Sequence, residues 1–103
     1  MPVLTDFQGR EVRLTDERLR HILDHKELAD AYERIEETIR SPQTVVVSRS
    51  DSAVNLAYRF YAKTLVGGKY LCVVVKYADE DAFILTAYLT DKIKAGEVIW
   101  PKR

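Results

Sequence analysis

The apolar residues of the chain change their spacing near residue 43. Before that point, Leu19, Ile22 and Leu23 recur at intervals of three and one, as on one face of a helix. Thr15 stands before them as a candidate N-cap, and the two residues that follow it are acidic, as the helix dipole favours. This pattern predicts a first helix.

Two further segments flank that helix. A short arm begins at Phe7 and alternates Val12 and Leu14 with charged residues, which predicts extended backbone. A second helical pattern runs from about residue 27 to residue 39. Pro42 ends it, because the residue before a proline avoids the helical conformation.

After residue 43 the spacing becomes alternate, which is typical of β-strands. The alternation predicts four strands, separated by polar or glycine-containing turns, at residues 44–48, 54–64, 69–77 and 83–89. The third of these, KYLCVVVKY, is apolar on both faces, as expected for a central strand. The tail predicts a short turn of helix that Gly96 stops, after which Val98, Ile99 and Trp100 dock back on the domain.

Helices followed by consecutive strands predict an α+β fold. We expect the N-terminal arm and two helices to pack on one face of an antiparallel sheet of about four strands. Residues 1–103 are expected to form a single domain, since a chain of this length buries one hydrophobic core.

The composition indicates a globular protein but does not identify a binding partner. With 47% hydrophobic and 31% charged residues, the chain is globular, and its 16 basic and 16 acidic residues give no net charge that would indicate a nucleic-acid partner. Cys72 is the only cysteine and lies in an apolar run, so we expect a buried thiol and no internal disulfide. The sequence predicts a cytoplasmic protein, with no signal peptide, no membrane partner and no cofactor.

The predicted sheet has one face for the helices and one open face. We expect Leu56, Tyr58 and Phe60 to face the helices. The open face would then carry cations, hydroxyls and aromatic rings, namely Arg59, Tyr61, Lys63, Lys76, Thr86 and Tyr88. Such a surface is typical of RNA binding, although a solvated antiparallel face is also commonly polar.

The chain has two histidines, His21 and His25, one helical turn apart. They are the side chains best suited to proton transfer near pH 7, but they are equally compatible with two polar residues on a wet helix face. A metal clip is geometrically allowed, yet there is no third histidine and no Glu directly after His21, so no metal site is predicted. His25 is the better catalytic candidate because it would overlook the sheet edge from the end of the helix.

Four segments resemble the phage and bacterial domains of the barnase–EndoU–colicin–RelE group of RNases. They are VRLTDERLRHILDHKEL, VVVSRSDSAVNLAYRFY, GGKYLCVVVKY and FILTAYLTDKIKAGEVIW, and the resemblance covers roughly residues 9 to 101. It implies metal-independent endoribonuclease activity, in which the 2′-hydroxyl attacks the phosphorus and leaves a 2′,3′-cyclic phosphate. Such chemistry requires a base, an acid and cations for the phosphorane charge.

The resemblance also implies site residues. His25 matches the family's helix histidine and would act as base or acid, with His21 second. Arg59 matches a Tyr-Arg strand and would bind the phosphate, while Thr86 and Tyr88 match a Thr-Ala-Tyr segment, as hydrogen-bond donor and as stacking group or proton donor. A catalytic site of this kind requires His25, Arg59 and Tyr88 to converge on one cleft. Two loop cations, Arg49 and Lys92, would reach flanking phosphates.

Two departures from the family pattern favour an alternative. Lys26 stands where relatives often have proline, and the chain has no net positive charge to attract RNA. The alternative is a non-catalytic interaction module on the same fold, related to phage or toxin–antitoxin systems, with an antitoxin or immunity protein as a partner. The two edges of the predicted sheet would also allow a homodimer.

Overall fold

A computed structural model describes residues 2–101 of the chain. The chain begins with two short strands, continues with two α-helices and ends with five strands. In chain order they are β1 Val3–Thr5, β2 Glu11–Arg13, α1 Asp16–Leu23, α2 Tyr32–Arg40, β3 Thr44–Val47, β4 Val54–Tyr61, β5 Lys69–Tyr77, β6 Ala82–Thr90 and β7 Glu97–Trp100. A short 3-10 helix, Lys26–Leu28, lies between the two α-helices.

The strands form one seven-stranded sheet in the order β1-β2-β6-β5-β4-β3-β7. The fold is α+β as predicted, but the expectation of about four strands is wrong. The four predicted strands are the central ones, and the additional strands are short and lie at the sheet edges. The tail pairs with β3 as strand β7. The turn of helix that was predicted just before Gly96 is not formed.

The first helix begins where the sequence predicts it, whereas the second begins later than predicted. Thr15 caps α1 as predicted, because its hydroxyl accepts a hydrogen bond from the Arg18 N–H at 3.2 Å. The second helical pattern is shorter than predicted, since α2 begins only at Tyr32. The preceding residues form the 3-10 helix, so the chain turns sharply just after His25. No helix within residues 2–101 is long and apolar enough to cross a membrane.

Both faces of the sheet are covered. On one face, Leu71 and Val73 of β5 pack with Ile35 and Ile39 of α2 in the main core. On the other, Leu56, Tyr58 and Cys72 form a second cluster that Ile93 helps to cover. The segment of residues 91–96 that carries Ile93 is called the strap below.

The prediction that Leu56, Tyr58 and Phe60 face the helices is therefore wrong. Alternation separates the two faces of β4 correctly but does not say which face the helices cover. The apolar set packs under the strap, and the polar set, which includes Arg59 and Tyr61, points toward α2. The two-sided apolar pattern of β5 is the feature that reports two covered faces.

The sheet curls so strongly that its two ends meet. The Phe7 ring, in the turn after β1, lies 5.3 Å from the Trp100 ring of β7, although these strands stand at opposite ends of the strand order. Leu4 of β1 also belongs to the main core beneath α2. The sheet thus curls around the helices, and the 3-10 helix buries Leu28 in the main core while Lys26 is exposed.

Candidate functional site

A groove of about 420 Å³ lies on the helical side of the sheet, between the 3-10 helix and the loop that follows β4. Four charged side chains line it: Glu27, Asp30, Arg34 and Lys63. Thr64 and a set of apolar residues complete the lining, namely Leu28, Ala29, Ala31, Leu65, Leu71 and Leu89. This helix-side groove therefore combines acids, cations and an apolar surface.

His25 does not line the helix-side groove itself but neighbours a residue that does. It is the N-cap residue of the 3-10 helix, and its Nδ1 lies 4.0 Å from Oε1 of Glu27, which lines the groove. The His25 side chain is 66% exposed, so water or a ligand can reach its imidazole. His21 is also exposed but lies in the last turn of α1.

Arg59 connects β4 to the end of α2. Its Nη1 donates to the Ser41 carbonyl at 2.7 Å, and its Nε lies 3.4 Å from Oε1 of Glu37. The carbonyl belongs to the residue that ends α2, so the guanidinium satisfies a helix terminus. These contacts hold the helix against the sheet and engage Nε and Nη1 of the guanidinium.

Tyr61 belongs to the same network. Its hydroxyl donates to Glu37 Oε1 at 2.5 Å, and the guanidinium of Arg34 lies 4.6 Å from the centre of its ring. Burial and then Glu37 raise the pKa of Tyr61, whereas the hydrogen bond from Tyr61 is the main cause that lowers the pKa of Glu37. Tyr61 thus remains a protonated donor, and Arg34 is positioned between this network and the groove.

Tyr88 lies on the opposite face of the sheet. Its register partner is Cys72, whose other partner is Tyr58, so all three side chains point under the strap. The Tyr88 hydroxyl is buried without a hydrogen-bond partner of normal geometry among residues 2–101, and burial raises its pKa. The predicted convergence of His25, Arg59 and Tyr88 is therefore wrong, because the sheet separates Tyr88 from the other two.

The remaining predicted residues also divide between the two faces. Lys63 lines the helix-side groove, whereas Thr86 is exposed beside a β-bulge on the strap face. Lys76 pairs with Asp51, with Nζ and Oδ2 3.0 Å apart, and so braces the β3–β4 turn. The two predicted loop cations, Arg49 in that turn and Lys92 in the strap, are exposed. The single open face that the sequence predicted does not exist.

The groove contains residues that the sequence analysis did not select. Glu27 belongs to the 3-10 helix, Asp30 lies between that helix and α2, and Arg34 lies in the first turn of α2. These residues are far from Lys63 in the sequence, so the sequence did not indicate that they share a groove with it. Among the described residues, no three His, Cys, Asp or Glu side chains are grouped so that they could hold a metal ion.

Replacing Tyr88 with phenylalanine is expected to leave stability unchanged or raise it by up to about 1 kcal/mol, since it removes an unpaired buried hydroxyl. Tyr58→Phe is the matched control. The Tyr58 hydroxyl accepts from the Lys94 N–H at 3.1 Å, and its loss is expected to cost about 1 kcal/mol. Urea unfolding of both variants measures the difference, and an equal loss of stability in the two would contradict this account of Tyr88.

Comparison with known proteins gives one match. The model of a family described as phage-Barnase-EndoU-ColicinE5/D-RelE like nuclease2 matches residues 2–100. No curated protein and no solved structure matches the chain.

Proposed function

Because this chain belongs to the phage-Barnase-EndoU-ColicinE5/D-RelE like nuclease2 family, a family of nuclease-like domains, we propose that it is an endoribonuclease that cuts at the helix-side groove. The observation that carries the proposal is that an exposed histidine, His25, lies beside Glu27, which lines a groove together with Arg34 and Lys63. A proton acceptor and cations that offset the phosphorane charge are the parts that phosphodiester cleavage needs.

The proposed reaction is metal-independent. His25 takes the proton of the 2′-hydroxyl, the nearby Glu27 carboxylate offsets the positive charge that the imidazole gains, and the 2′-oxygen attacks the neighbouring phosphorus. The bond from phosphorus to the 5′-oxygen breaks, and that oxygen takes a proton from water. The products are a 2′,3′-cyclic phosphate and a 5′-hydroxyl.

The cations have separate tasks in this scheme. Arg34 and Lys63 offset the negative charge that builds on the phosphorane oxygens, and the leucines of the groove provide a surface against which a base could pack. Arg59 is a positioning residue in this scheme. It fixes the end of α2, the helix that carries Arg34.

The alternative is a non-catalytic interaction module, and one observation favours it. Two of the positions that the family resemblance marks as catalytic have other contacts here: Arg59 braces a helix, and Tyr88 is a partly buried ring whose hydroxyl is buried under the strap. A domain that has kept the fold but not the activity would show such positions in structural roles.

The test is incubation of the purified chain with an end-labelled, mostly single-stranded RNA in EDTA. We expect fragments that end in a 2′,3′-cyclic phosphate. A DNA oligonucleotide of the same sequence is the matched control and should stay intact, because it lacks the 2′-hydroxyl. No cutting of RNA at enzyme excess would reject the proposal in favour of the interaction module, and cutting of the DNA would reject the 2′-hydroxyl mechanism.

A further inference from the structure

The strap face carries a pair of aromatic rings, exposed Phe60 and half-buried Tyr70, at the end of the β4–β5 hairpin. Phe60 is 44% exposed, and its ring lies 5.3 Å from the ring of Tyr70 at an interplanar angle of 73°. Tyr70 in turn meets Tyr58 edge to face at 6.3 Å. Because Tyr70 is held against a buried ring, the outer ring of Phe60 rests on a fixed support and presents its surface to solvent.

Two lysines of the strap border these rings. Phe60, Tyr70 and Thr90 form one row across β4, β5 and β6, and the Thr90 hydroxyl accepts from the Lys92 N–H at 3.3 Å. Lys94 lies over the next row, with its Nζ 5.8 Å from the centre of the Tyr88 ring.

The charge of this border is positive. Both lysine side chains belong to exposed residues. The carboxylate of Asp91, which begins the strap, is paired with Lys69 at 2.5 Å, so it does not cancel the strap lysines.

We propose that Phe60, Tyr70 and the strap lysines form a second RNA-binding site, which takes unpaired nucleotides that flank the cut. An exposed ring that accepts a base, next to cations that reach the adjoining phosphates, is the arrangement by which proteins hold single-stranded nucleic acid without regard to sequence. This stacking platform (Phe60, Tyr70, Lys92 and Lys94) rests on the proposed function, since it takes RNA as the ligand.

The position of the platform relative to the groove is consistent with one continuous strand. Lys63 and Leu65, which line the helix-side groove, lie in the loop that directly follows β4, and Phe60 lies near the end of that strand on the other face. An RNA strand that leaves the groove around this loop therefore meets the Phe60 ring first. The platform would add affinity for longer substrates without taking part in bond breaking.

The test measures binding without cutting. In a His25→Ala background, which keeps the RNA intact, the affinity for a labelled 12-nucleotide single-stranded RNA is compared with and without Phe60→Ala. We expect Phe60→Ala to weaken binding about tenfold, as for the loss of one stacked base, and Phe60→Trp to restore it. Val98→Ala, which truncates another exposed apolar residue on β7, is the matched control and should bind like the parent.

A second measurement separates stacking from charge. Lys92→Ala is expected to lower the slope of log affinity against log salt by about 0.7, and Phe60→Ala should leave that slope unchanged. Affinities of Phe60→Ala and Val98→Ala within twofold of each other would overturn the platform. So would the absence of any RNA binding by the parent, an outcome that would favour a protein partner for the exposed rings.

The outcomes for the platform and for cutting are distinguishable. Cleavage by the wild-type chain together with Phe60-independent binding overturns the platform alone. Phe60-dependent binding without cleavage supports the platform and overturns the proposed activity.

Discussion

Replacing His25 with alanine is expected to reduce the rate of RNA cleavage by about 100- to 10,000-fold, the range that a general base contributes. His25 is solvent-exposed and lies beside a carboxylate, that of Glu27, which lines the helix-side groove. Stability should change by no more than about 0.5 kcal/mol, because the side chain is 66% exposed and makes no close hydrogen bond among the described residues. Single-turnover rates on the end-labelled RNA measure the first effect and thermal unfolding the second.

The matched control is His21→Ala. His21 is an exposed histidine in the last turn of α1, so it reports what the loss of any surface imidazole does. We expect it to retain wild-type activity within about twofold. If instead His21→Ala loses activity and His25→Ala keeps it, His21 is the base and the assignment of His25 is wrong. Equal rates for both variants and the wild type would indicate a contaminating nuclease.

Much of the local structure was predictable because local rules determine it. The Thr15 cap, the end of α2 before Pro42 and the four central strands follow from backbone hydrogen bonding and side-chain periodicity within short windows. The short strands β1 and β7 were not predictable in this way. Three or four residues carry too little alternation, and each of these strands pairs with a neighbour that is equally short, β1 with β2 and β7 with β3.

The side of the sheet that the helices cover could not be read from β4 alone. Its apolar set, with Leu56 and Tyr58, is as suitable for the strap as for a helix, and one residue of the tail, Ile93, helps to complete that packing. The polar set faces α2 because Arg59 and Tyr61 both contact the Glu37 carboxylate there. Long-range pairing of this kind has no signature in either segment by itself.

The sequence selects candidate site residues whose chemistry is rare or whose place in an alternating pattern is clear, and it passes over common charged residues. His25 stood out because the chain has two histidines, and Lys63 because alternation placed it with Arg59 and Tyr61 on one face of a predicted strand. Arg34 is one of many charged residues of the chain. It became a candidate only when packing placed it beside Tyr61 and the groove.

Gly96→Ala is expected to destabilise the domain by about 2 kcal/mol, because it adds an atom where the strap meets β3. A Cβ at this position would lie 2.7 Å from Val46 Cγ1 and 2.7 Å from the Val47 carbonyl oxygen. The carbonyl is backbone and cannot rotate away, so the strap or β7 must shift. For a domain of this size the melting temperature should fall by about 10 °C.

Gly68→Ala separates this steric effect from the general cost of replacing a glycine. A Cβ at Gly68 would meet the end of the Phe60 ring at 3.0 Å and the Ala62 carbonyl oxygen at 3.5 Å, and an exposed ring can move. We expect it to lower the melting temperature by less than half as much. Hydrogen exchange then locates the damage: in Gly96→Ala the amides of Glu97–Trp100 should exchange faster while those of β5 stay protected. Equal melting temperatures for the two variants would mean that the close approach of Gly96 to β3 does not hold the strap over the second cluster.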